Sequence, residues 1–346
     1  MFRTLSALAI AFALASLSAP AQEKKDPPKK KERIAINEPE KLKDDADFAI
    51  QGEYEGINLK TSAKVGAHVV ATGEGKFDVK LYQGGLPGAG WDLSKPATGK
   101  AARSKDERRA YLEDGKKNVT GIIGEGSKPG TMIFTASVGK DNFPLSKVER
   151  TSKTIGAKPP EGAVVLFGKE GDEKQWNGGN LMKLSDGTFL GVGVTSKQAF
   201  GAFKAHVEFR LPWMPNSTGQ GRGNSGVYFQ DRYECQVLDS FGLNGENNEC
   251  GGIYTQHKPK VNMCYPPMRW QTYDIDFTPA QFDDSGKKTK NGRATVTHNG
   301  VLIHDDIEFP KECPGGQPEK AAPGPFRLQD HGDPVVYRNF WVLPVK

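Results

Sequence analysis

Apolar and polar residues alternate with a period of two along much of the second half of this chain, and this alternation most constrains its fold. In residues 205–211 every second position is apolar, while His, Glu and Arg occupy the positions between. Successive side chains of a β-strand point to opposite faces, so the pattern predicts a strand with one face towards a core. Ten strand-like runs lie between residues 163 and 343, with no convincing amphipathic helix among them. They predict an all-β fold in which two antiparallel sheets form a jelly-roll sandwich.

Turn residues and prolines divide the chain. Residues 298–301, His-Asn-Gly-Val, stand between two alternating runs and predict a hairpin. Two consecutive prolines at positions 159 and 160 favour neither a helix nor a sheet ladder, so they predict a boundary. Residues 48–158 are therefore expected to form a small β-rich accessory domain, and residues 159–346 the jelly-roll domain that carries the candidate site.

The first residues have the pattern of an export signal. A basic residue near the start precedes an apolar run and then the small residues Ala-Pro-Ala at positions 19–21, as in a cleaved signal peptide. Residues 1–21 therefore predict a secreted or periplasmic protein. Residues 22–47 are rich in charge and proline, and they predict a disordered linker because they offer too little apolar surface to offset chain entropy.

Composition excludes some classes of partner. The net charge of +5 is modest, and a lysine run near the start supplies much of it. No nucleic-acid-binding motif accompanies that run, so no nucleic-acid partner is expected. The apolar run of the signal is too short to span a bilayer, and no cysteine stands at the cleavage point, so no membrane anchor is expected.

The chain has four cysteines, Cys235, Cys250, Cys264 and Cys313. Export permits disulfides. Cys250 and Cys264 flank a loop rich in Gly and Pro, and in the entropic model closing a loop of about 15 residues stabilises a fold by roughly 3 kcal/mol. The sequence predicts this bridge. Cys235 is equally well explained as a small buried apolar residue, and the spacings match no zinc motif.

The candidate site lies in residues 221–240. A glycine-rich lead-in precedes two short strand-like runs, at residues 226–230 and 233–238. Strand alternation puts Glu234 and Gln236 on one face of the second run and apolar residues on the other. Two polar residues within an apolar run predict the floor of an open groove, although an ordinary hairpin with an exposed polar face has the same pattern.

The spacing Glu234-x-Gln236-x-x-Asp239 resembles the Glu-x-Asp-x-x-Glu signature of family 16 glycoside hydrolases. Strict alternation puts Asp239 on the face opposite Glu234, and a β-bulge between them would bring it back. A retaining glycosidase needs two carboxylates roughly 5–5.5 Å apart. The neutral Gln236 and the shorter Asp239 depart from the signature and weaken the expectation of ordinary two-carboxylate hydrolysis.

A broader set of motifs appears in order between residues 160 and 346. They are Asn224-Ser-Gly-Val-Tyr, Tyr233-Glu-Cys-Gln-Val-Leu-Asp239, Gly252-Ile-Tyr254, Trp270-Gln-Thr-Tyr273, His298-Asn-Gly-Val301 and Leu328-Gln-Asp-His-Gly-Asp-Pro-Val335-Val-Tyr-Arg-Asn339. Together they resemble the 3-keto-disaccharide hydrolase domain family, which is related in fold to concanavalin A-like lectins and glucanases. The resemblance implies an exported enzyme that cleaves glycosidic bonds.

This resemblance also implies a chemistry that does not need a second carboxylate nucleophile. A ketone on sugar carbon 3 acidifies the hydrogen on carbon 2, the glycosidic oxygen on carbon 1 leaves by elimination, and water then adds. Such a reaction needs a base, a group that stabilises the enolate and an acid for the leaving oxygen. Glu234 is the candidate base, and Gln236 is expected to orient a hydroxyl. Asp239 is a candidate acid, or else a structural ligand of the adjacent loop.

Other candidate residues come from surrounding loops. The titratable candidates are His331, as a catalytic residue, and His257. Arg222, Asn224 and Arg338 are candidates to bind sugar hydroxyls or the enolate. Tyr254 and Trp270 are candidates to pack on a sugar ring. No cofactor is expected, although lectin-like sandwiches can bind calcium. The expected partners are a carbohydrate substrate and a sugar 3-oxidoreductase that supplies the keto sugar. The alternative function is a lectin-like carbohydrate-binding module without turnover.

Overall fold

The computed structural model describes residues 33–104, 107–113, 119–128 and 130–345. The predicted export signal, residues 1–21, and the first part of the predicted linker lie outside the described residues. The chain from Arg33 onward forms one compact unit. Helix is confined in the described part to α1, Ala46–Ile50, and to 3-10 turns at Pro39–Leu42, Asp172–Gln175 and Gly219–Gly221. The expectation of an all-β fold is therefore confirmed.

The first half of the described chain is a closed barrel of eight antiparallel strands. Its strands are β1 Gly52–Ile57, β2 Lys64–Gly73, β3 Lys76–Gln83, β4 Ala97–Ala102, β5 Ala110–Glu113, β6 Val119–Glu125, β7 Met132–Val138 and β8 Asp141–Val148. Each pairs with the next in chain order, and β8 pairs with β1 to close the barrel. Alternate residues of the strands fill its core, as Val65, Ala67 and Val69 do along β2.

The second half consists mainly of two further antiparallel sheets. Their strands, with one separate two-stranded hairpin, are β9 Val164–Phe167, β10 Trp176–Asn177, β11 Leu181–Leu184, β12 Gly187–Leu190, β13 Val194–Phe200, β14 Ala202–Arg210, β15 Asn224–Phe229, β16 Tyr233–Leu238, β17 Trp270–Thr278, β18 Gln281–Phe282, β19 Lys288–Lys290, β20 Gly292–His298, β21 Val301–Phe309, β22 Gly324–Leu328 and β23 Val336–Val345.

These strands share one hydrophobic core. The five-stranded sheet has the order β10-β13-β22-β15-β16, and the eight-stranded sheet has the order β11-β12-β23-β14-β17-β20-β21 with β9 added beside β23. Val227 and Cys235 of the smaller sheet lie in the same core cluster as Val207 and Tyr273 of the larger one. Two antiparallel sheets around one core match the coarse expectation, while the jelly-roll connectivity stays a prediction.

The alternation in residues 205–211 is confirmed. The apolar positions of β14 lie in the core, whereas His206, Glu208 and Arg210 lie on the opposite face. These polar side chains are nevertheless buried, because other parts of the chain cover that face. Asp274 lies 2.6 Å from His206, and the backbone nitrogen of Gly156 donates to Glu208 over 2.6 Å.

The hairpin predicted at residues 298–301 is also confirmed. His298 pairs with Val301 across the turn. Asn299 and Gly300 adopt φ values of 53° and 76°, the left-handed conformation that both central residues of this turn type require.

Residues 33–47 are packed against the fold, which corrects the expectation that the linker is disordered as far as residue 47. Ile36 forms a β-bridge with Trp213, and Arg33 makes an ion pair of 2.6 Å with Asp333. Leu42 belongs to the barrel core. The composition of this segment is poor in apolar residues, but its few apolar side chains and its charges find partners that lie far away in sequence.

The predicted disulfide is wrong for this structure. All four cysteines lie in the described part, and all are free and buried. Cys250 and Cys264 lie in the hydrophobic core, where their thiols are hydrogen-bonded to each other. The Cys250 Sγ also lies 3.2 Å from the Tyr273 hydroxyl, and the Cys264 Sγ lies 3.5 Å from the carbonyl oxygen of Leu238. The thiols therefore pack as small, weakly polar side chains.

Within the described ranges, no helix has both the length and the apolar character that crossing a membrane requires.

Candidate active site

One face of the β15–β16 hairpin carries polar side chains, although these side chains are buried. Glu234 and Gln236 share this face of β16, while Cys235 and Val237 point into the hydrophobic core. Across the hairpin, Tyr228 pairs with Glu234 and Gly226 pairs with Gln236. The register of the pair runs without a shift from Asn224 to Leu238, so the alternation of faces is preserved along the whole hairpin.

Glu234 has an unusual environment for a carboxylic acid. Its side chain is 1% exposed. Oε2 accepts a hydrogen bond of 2.7 Å from the Tyr228 hydroxyl, whereas Oε1 has no hydrogen-bond partner among the described residues. Burial raises the pKa of Glu234 to about 7, against the opposing effects of the Tyr228 hydroxyl and of Arg327. A carboxyl group with a pKa near neutrality and one free oxygen can accept and return a proton.

Arg327 supplies a positive charge that acts on this carboxyl group. Its guanidinium carbon lies 3.8 Å from the centre of the Tyr228 ring, in the geometry of a cation–π contact. The guanidinium also pairs with Asp231 and donates to the carbonyl oxygen of Gly315 over 2.7 Å. Arg327 pairs with Tyr228 across β22 and β15, so it is held beside Tyr228 on the side opposite Glu234.

Gly226 has no side chain, and the carboxyl group of Glu234 occupies the space where one would lie. A Cβ atom at this position would lie 2.1 Å from Oε1 and 2.8 Å from the carboxyl carbon of Glu234. Because atoms cannot approach so closely, any larger residue would push the carboxyl group away from its present position. The glycine that the sequence places in the lead-in is therefore required by close approach.

We expect the Gly226→Ala variant to misplace the Glu234 carboxyl group. Loss of the Tyr228 hydrogen bond and local overpacking should lower the free energy of unfolding by about 1–3 kcal/mol. Chemical denaturation measures this change. Gly201→Ala is a matched control, because a Cβ atom at Gly201 has nothing within 4 Å. Equal stability of the two variants would contradict this placement of Glu234.

The raised pKa makes the stability of the protein depend on pH. The folded state binds the Glu234 proton more tightly than the unfolded chain, whose ordinary pKa is near 4.5. As the pH rises from about 4.5 to about 7, the folded state must give up this proton or hold a buried charge, and stability is lost. Glu234→Gln removes the titration, so the variant should gain up to about 3 kcal/mol of unfolding free energy relative to wild type.

Denaturant titrations of both proteins at pH 4.5 and pH 8 measure that difference. The gain from Glu234→Gln should be present at pH 8 and absent at pH 4.5. A variant that is no more stabilised at pH 8 than at pH 4.5 would show that Glu234 titrates normally.

Three amide side chains extend the polar face beyond Glu234. Gln220 lies between the other two: its Oε1 is 3.4 Å from Nε2 of Gln236 and 3.2 Å from Nδ2 of Asn224. Its own Nε2 donates to the carbonyl oxygen of Asn248 over 2.6 Å. Oδ1 of Asn224 is buried and has no partner among the described residues. Amides with unused acceptors and long, weak contacts suit a ligand that brings hydroxyl groups.

The polar face is covered rather than open. Glu234 and Gln236 are only 1% and 2% exposed, which differs from the predicted open groove. The carbonyl oxygen of Pro314 lies 3.1 Å from the Tyr228 hydroxyl, and that of Asn248 lies 3.5 Å from Gln236. Two loops therefore lie over the face, and the pattern of a single strand contains no information about them.

Asp239 and Arg222 lie elsewhere and bind each other. Nη1 of Arg222 is 3.1 Å from Oδ2 of Asp239, and Nη2 donates to the carbonyl oxygen of Ala71 in the barrel over 2.6 Å. Burial raises the pKa of Asp239, while Arg222 opposes the rise. Since no bulge shifts β16, Asp239 does not join Glu234 on the polar face. This geometry fits the structural role that the sequence left open for Asp239.

Trp270 and Arg338 also lie together, but on the eight-stranded sheet. The guanidinium carbon of Arg338 is 4.0 Å from the centre of the Trp270 ring, and its Nε donates to Glu208 over 2.7 Å. Burial disfavours the charge on Glu208, yet hydrogen bonds that include those from His206 and Asn339 lower its pKa to about 2. These two predicted site residues thus belong to a separate polar cluster.

The remaining predicted residues are dispersed. Nε2 of His257 lies 2.7 Å from the carbonyl oxygen of Glu308 in β21, and His331 is exposed in the loop after β22. Tyr254 packs against the core, and its backbone nitrogen donates to the carbonyl oxygen of Glu234 over 3.0 Å. The structure therefore brings together Glu234, Gln236 and Asn224 of the predicted set.

Sequence reasoning missed Arg327 and Gln220 and did not give Tyr228 its role beside Glu234. Tyr228 and Arg327 are detectable in principle, because each is the polar member of an apolar alternating run. Gln220 has no such signal, since it precedes the strand in an irregular segment. The described residues contain no group of three or more His, Cys, Asp or Glu side chains arranged to hold a metal ion.

Residues 162–343, which contain this site, are similar to known proteins. The model of the 3-keto-alpha-glucoside-1,2-lyase-like domain matches residues 162–343. A proposed glycosyl hydrolase from Parabacteroides distasonis ATCC 8503, solved at 2.13 Å, is 32% identical over 54% of this chain and 85% of its own, with a TM-score of 0.48. A second proposed glycosyl hydrolase from that organism, solved at 1.70 Å, is 15% identical over 56% of this chain and 93% of its own, with a TM-score of 0.33. No curated protein matches the chain.

The matched residues make up more than half of the chain and contain the whole polar face of the β15–β16 hairpin. The chain therefore belongs to the 3-keto-alpha-glucoside-1,2-lyase-like domain family.

Proposed function

We propose that this protein is an exported enzyme that cleaves the glycosidic bond of 3-keto-glycosides by elimination and hydration, with Glu234 as the base. One observation carries the proposal: a carboxyl group with a pKa near 7 has one oxygen fixed by Tyr228 and the other oxygen free. A general base works best when its pKa lies close to the operating pH. Membership of the family supplies the substrate class.

In the proposed reaction, Oε1 of Glu234 takes the proton from carbon 2 of the keto sugar. The electron pair of that C–H bond forms the enolate of the carbon 3 ketone. When the ketone re-forms, the double bond between carbons 1 and 2 forms, the bond from carbon 1 to the glycosidic oxygen breaks, and the leaving oxygen takes up a proton from water. A second water molecule then adds at carbon 1 and gives a proton to the hydroxide left by the first, while carbon 2 regains a proton from Glu234, so the net reaction is hydrolysis and the Glu234 carboxylate is restored.

The neighbours of Glu234 have separate roles in this proposal. The Tyr228 hydroxyl orients the carboxyl group by holding Oε2. Arg327 places a positive charge near the enolate that forms on the sugar, and such preorganised charge stabilises developing negative charge. Gln236 and Asn224 are the proposed contacts to sugar hydroxyls. Because Glu234 is 1% exposed, the substrate reaches Oε1 only when the covering loops move.

The runner-up is a lectin-like module that binds carbohydrate without turnover. It is favoured by one observation: the second carboxylate of the hairpin, Asp239, is engaged with Arg222 away from Glu234. Elimination does not require that second carboxylate, and a binding module gains nothing from a buried carboxyl group with a raised pKa. We therefore favour the enzyme.

Three further proposals complete this account. Residues 1–21 direct export, and the protein is secreted or periplasmic. The two sheets of the second half have jelly-roll connectivity. A sugar 3-oxidoreductase supplies the keto sugar, since the proposed reaction begins from a substrate already oxidised at carbon 3.

The test is an assay of the purified protein on a chromogenic glucoside and on its 3-keto derivative. The enzyme should release the chromophore from the keto derivative and leave the parent glucoside intact, because only the ketone acidifies carbon 2. Cleavage of both substrates at similar rates would point to ordinary hydrolysis. Saturable binding of the keto derivative without release would establish the lectin-like alternative.

A further inference from the structure

A cavity lies where the barrel meets the loop that follows β16. It has a volume of about 240 Å³ and is lined by barrel residues and by Leu243, Asn244 and Asn262. Nζ of Lys80 on β3 donates to Oδ1 of Asn244 over 2.8 Å, so this contact joins the two walls. Small-molecule sites in proteins commonly measure roughly 300–1,000 Å³. The cavity therefore has room for about one sugar-sized ring.

Aromatic and apolar groups form one side of the cavity. Trp91 and Tyr82 pack edge to face, with ring centres 5.1 Å apart. Leu93 and Leu243 at the rim are 68% and 38% exposed. Exposed apolar groups beside a partly exposed indole ring offer a surface on which the C–H face of a sugar can pack.

The polar groups of the cavity carry positive charge. Lys80 and Lys95 line it, together with the side-chain amides of Asn244 and Asn262, and no carboxylate is found among the described residues that line it. Glu249 and Asp78, which do not line the cavity, favour the charged form of Lys80. A ligand that brings its own negative charge would therefore meet two cations inside the cavity and no acidic group.

The floor of the cavity is rigidly held. His68 is buried, its Nδ1 lies 3.2 Å from the Tyr82 hydroxyl, and its Nε2 lies 3.2 Å from Oε1 of Glu53. Nε of Arg150 donates to Glu53 over 2.8 Å. This chain of hydrogen bonds fixes Tyr82, which in turn supports Trp91. The cavity wall is therefore preorganised, and ligand binding would not have to order these side chains.

We propose that this cavity binds a sugar ring that carries a carboxylate, such as a uronic acid residue. The ring packs on Trp91, the amide of Asn244 contacts its hydroxyls, and Lys80 with Lys95 binds the carboxylate. The inference rests on the proposed carbohydrate function for the class of ligand, but it needs no turnover. The loop that supplies Asn244 also supplies Asn248 to the candidate active site, so one loop contacts both sites.

The experiment is a calorimetric titration of the full chain with glucuronate, with glucose and with acetate. Glucuronate should bind saturably, and glucose and acetate should each bind at least about tenfold more weakly, because each lacks one of the two recognised groups. Lys80→Met should weaken glucuronate binding by roughly 10- to 100-fold, as expected for the loss of a charged hydrogen bond. Trp91→Ala should weaken it by a similar factor.

Matched variants separate this site from folding and from the candidate active site. Lys76→Met changes an exposed lysine of the same strand and should bind glucuronate like wild type. Thermal unfolding of each variant excludes misfolding as the cause of a loss. Glu234→Gln should retain glucuronate binding even if the protein proves to have no activity on keto sugars. Absence of saturable glucuronate binding by wild type, equal affinity for glucose, or unchanged binding in Lys80→Met would overturn the proposal.

Discussion

Replacing Glu234 by Gln should lower kcat on a 3-keto-glycoside by roughly 10²- to 10⁴-fold, the usual contribution of a general base. The amide keeps the shape of the side chain and its contact with Tyr228, but it cannot take up a proton. Substrate binding should survive, because Gln236, Asn224 and Arg327 remain in place. Steady-state kinetics, with binding of the keto sugar measured separately, gives both quantities.

Glu170→Gln is the matched control for this substitution. Glu170 pairs with Lys183 over 2.9 Å, and both side chains are largely exposed, so the control makes the same chemical change away from the site. Its kcat should equal that of wild type. If Glu234→Gln retains more than about a tenth of the wild-type kcat, Glu234 is not the base.

The second large effect concerns stability. Arg222→Met should lower the free energy of unfolding by about 3–5 kcal/mol, because it leaves Asp239 buried without its counter-charge. The arginine also donates to the carbonyl oxygens of Ser217 and Ala71, and both acceptors lose a partner. Chemical denaturation of wild type and variant measures the loss.

A further substitution tests whether the loss of stability comes from the unpaired charge of Asp239. Adding Asp239→Asn to Arg222→Met removes the unpaired charge, so the double variant should recover part of the lost stability. Asp239→Asn alone should leave kcat within about tenfold of wild type, since a structural residue takes no part in proton transfer. A loss of kcat as large as that in Glu234→Gln would instead make Asp239 the acid.

Much of the fold could be predicted because local alternation decides it. The faces of β14 and β16 follow from which residues are apolar, and the Asn-Gly turn follows from the left-handed backbone that it requires. The closure of the barrel could not be predicted, because the pairing of β8 with β1 depends on residues almost a hundred positions apart. The packing of residues 33–47 could not be predicted for the same reason, since Ile36 and Arg33 find partners in the second half.

The candidate site could be predicted only in part. Glu234 and Gln236 share a face because they are two residues apart on a strand, and one motif contains both. The raised pKa of Glu234 arises from burial under loops that come from other parts of the chain, and no strand pattern contains that information. Asp239 shows the limit of a motif: its spacing suggested a catalytic pair, but an unbroken register carries it to the other face, where Arg222 binds it.

In the proposed reaction, cleavage begins with removal of the proton on sugar carbon 2. The most direct test is to run the reaction on a 3-keto-glycoside in deuterated water and to locate deuterium in the sugar product by NMR, early in the reaction and beside a control without enzyme. Elimination followed by hydration should leave deuterium on carbon 2, because Glu234 exchanges its proton with solvent before it returns one. Fast cleavage that leaves carbon 2 free of deuterium would contradict the account and would make direct displacement at carbon 1 the better mechanism.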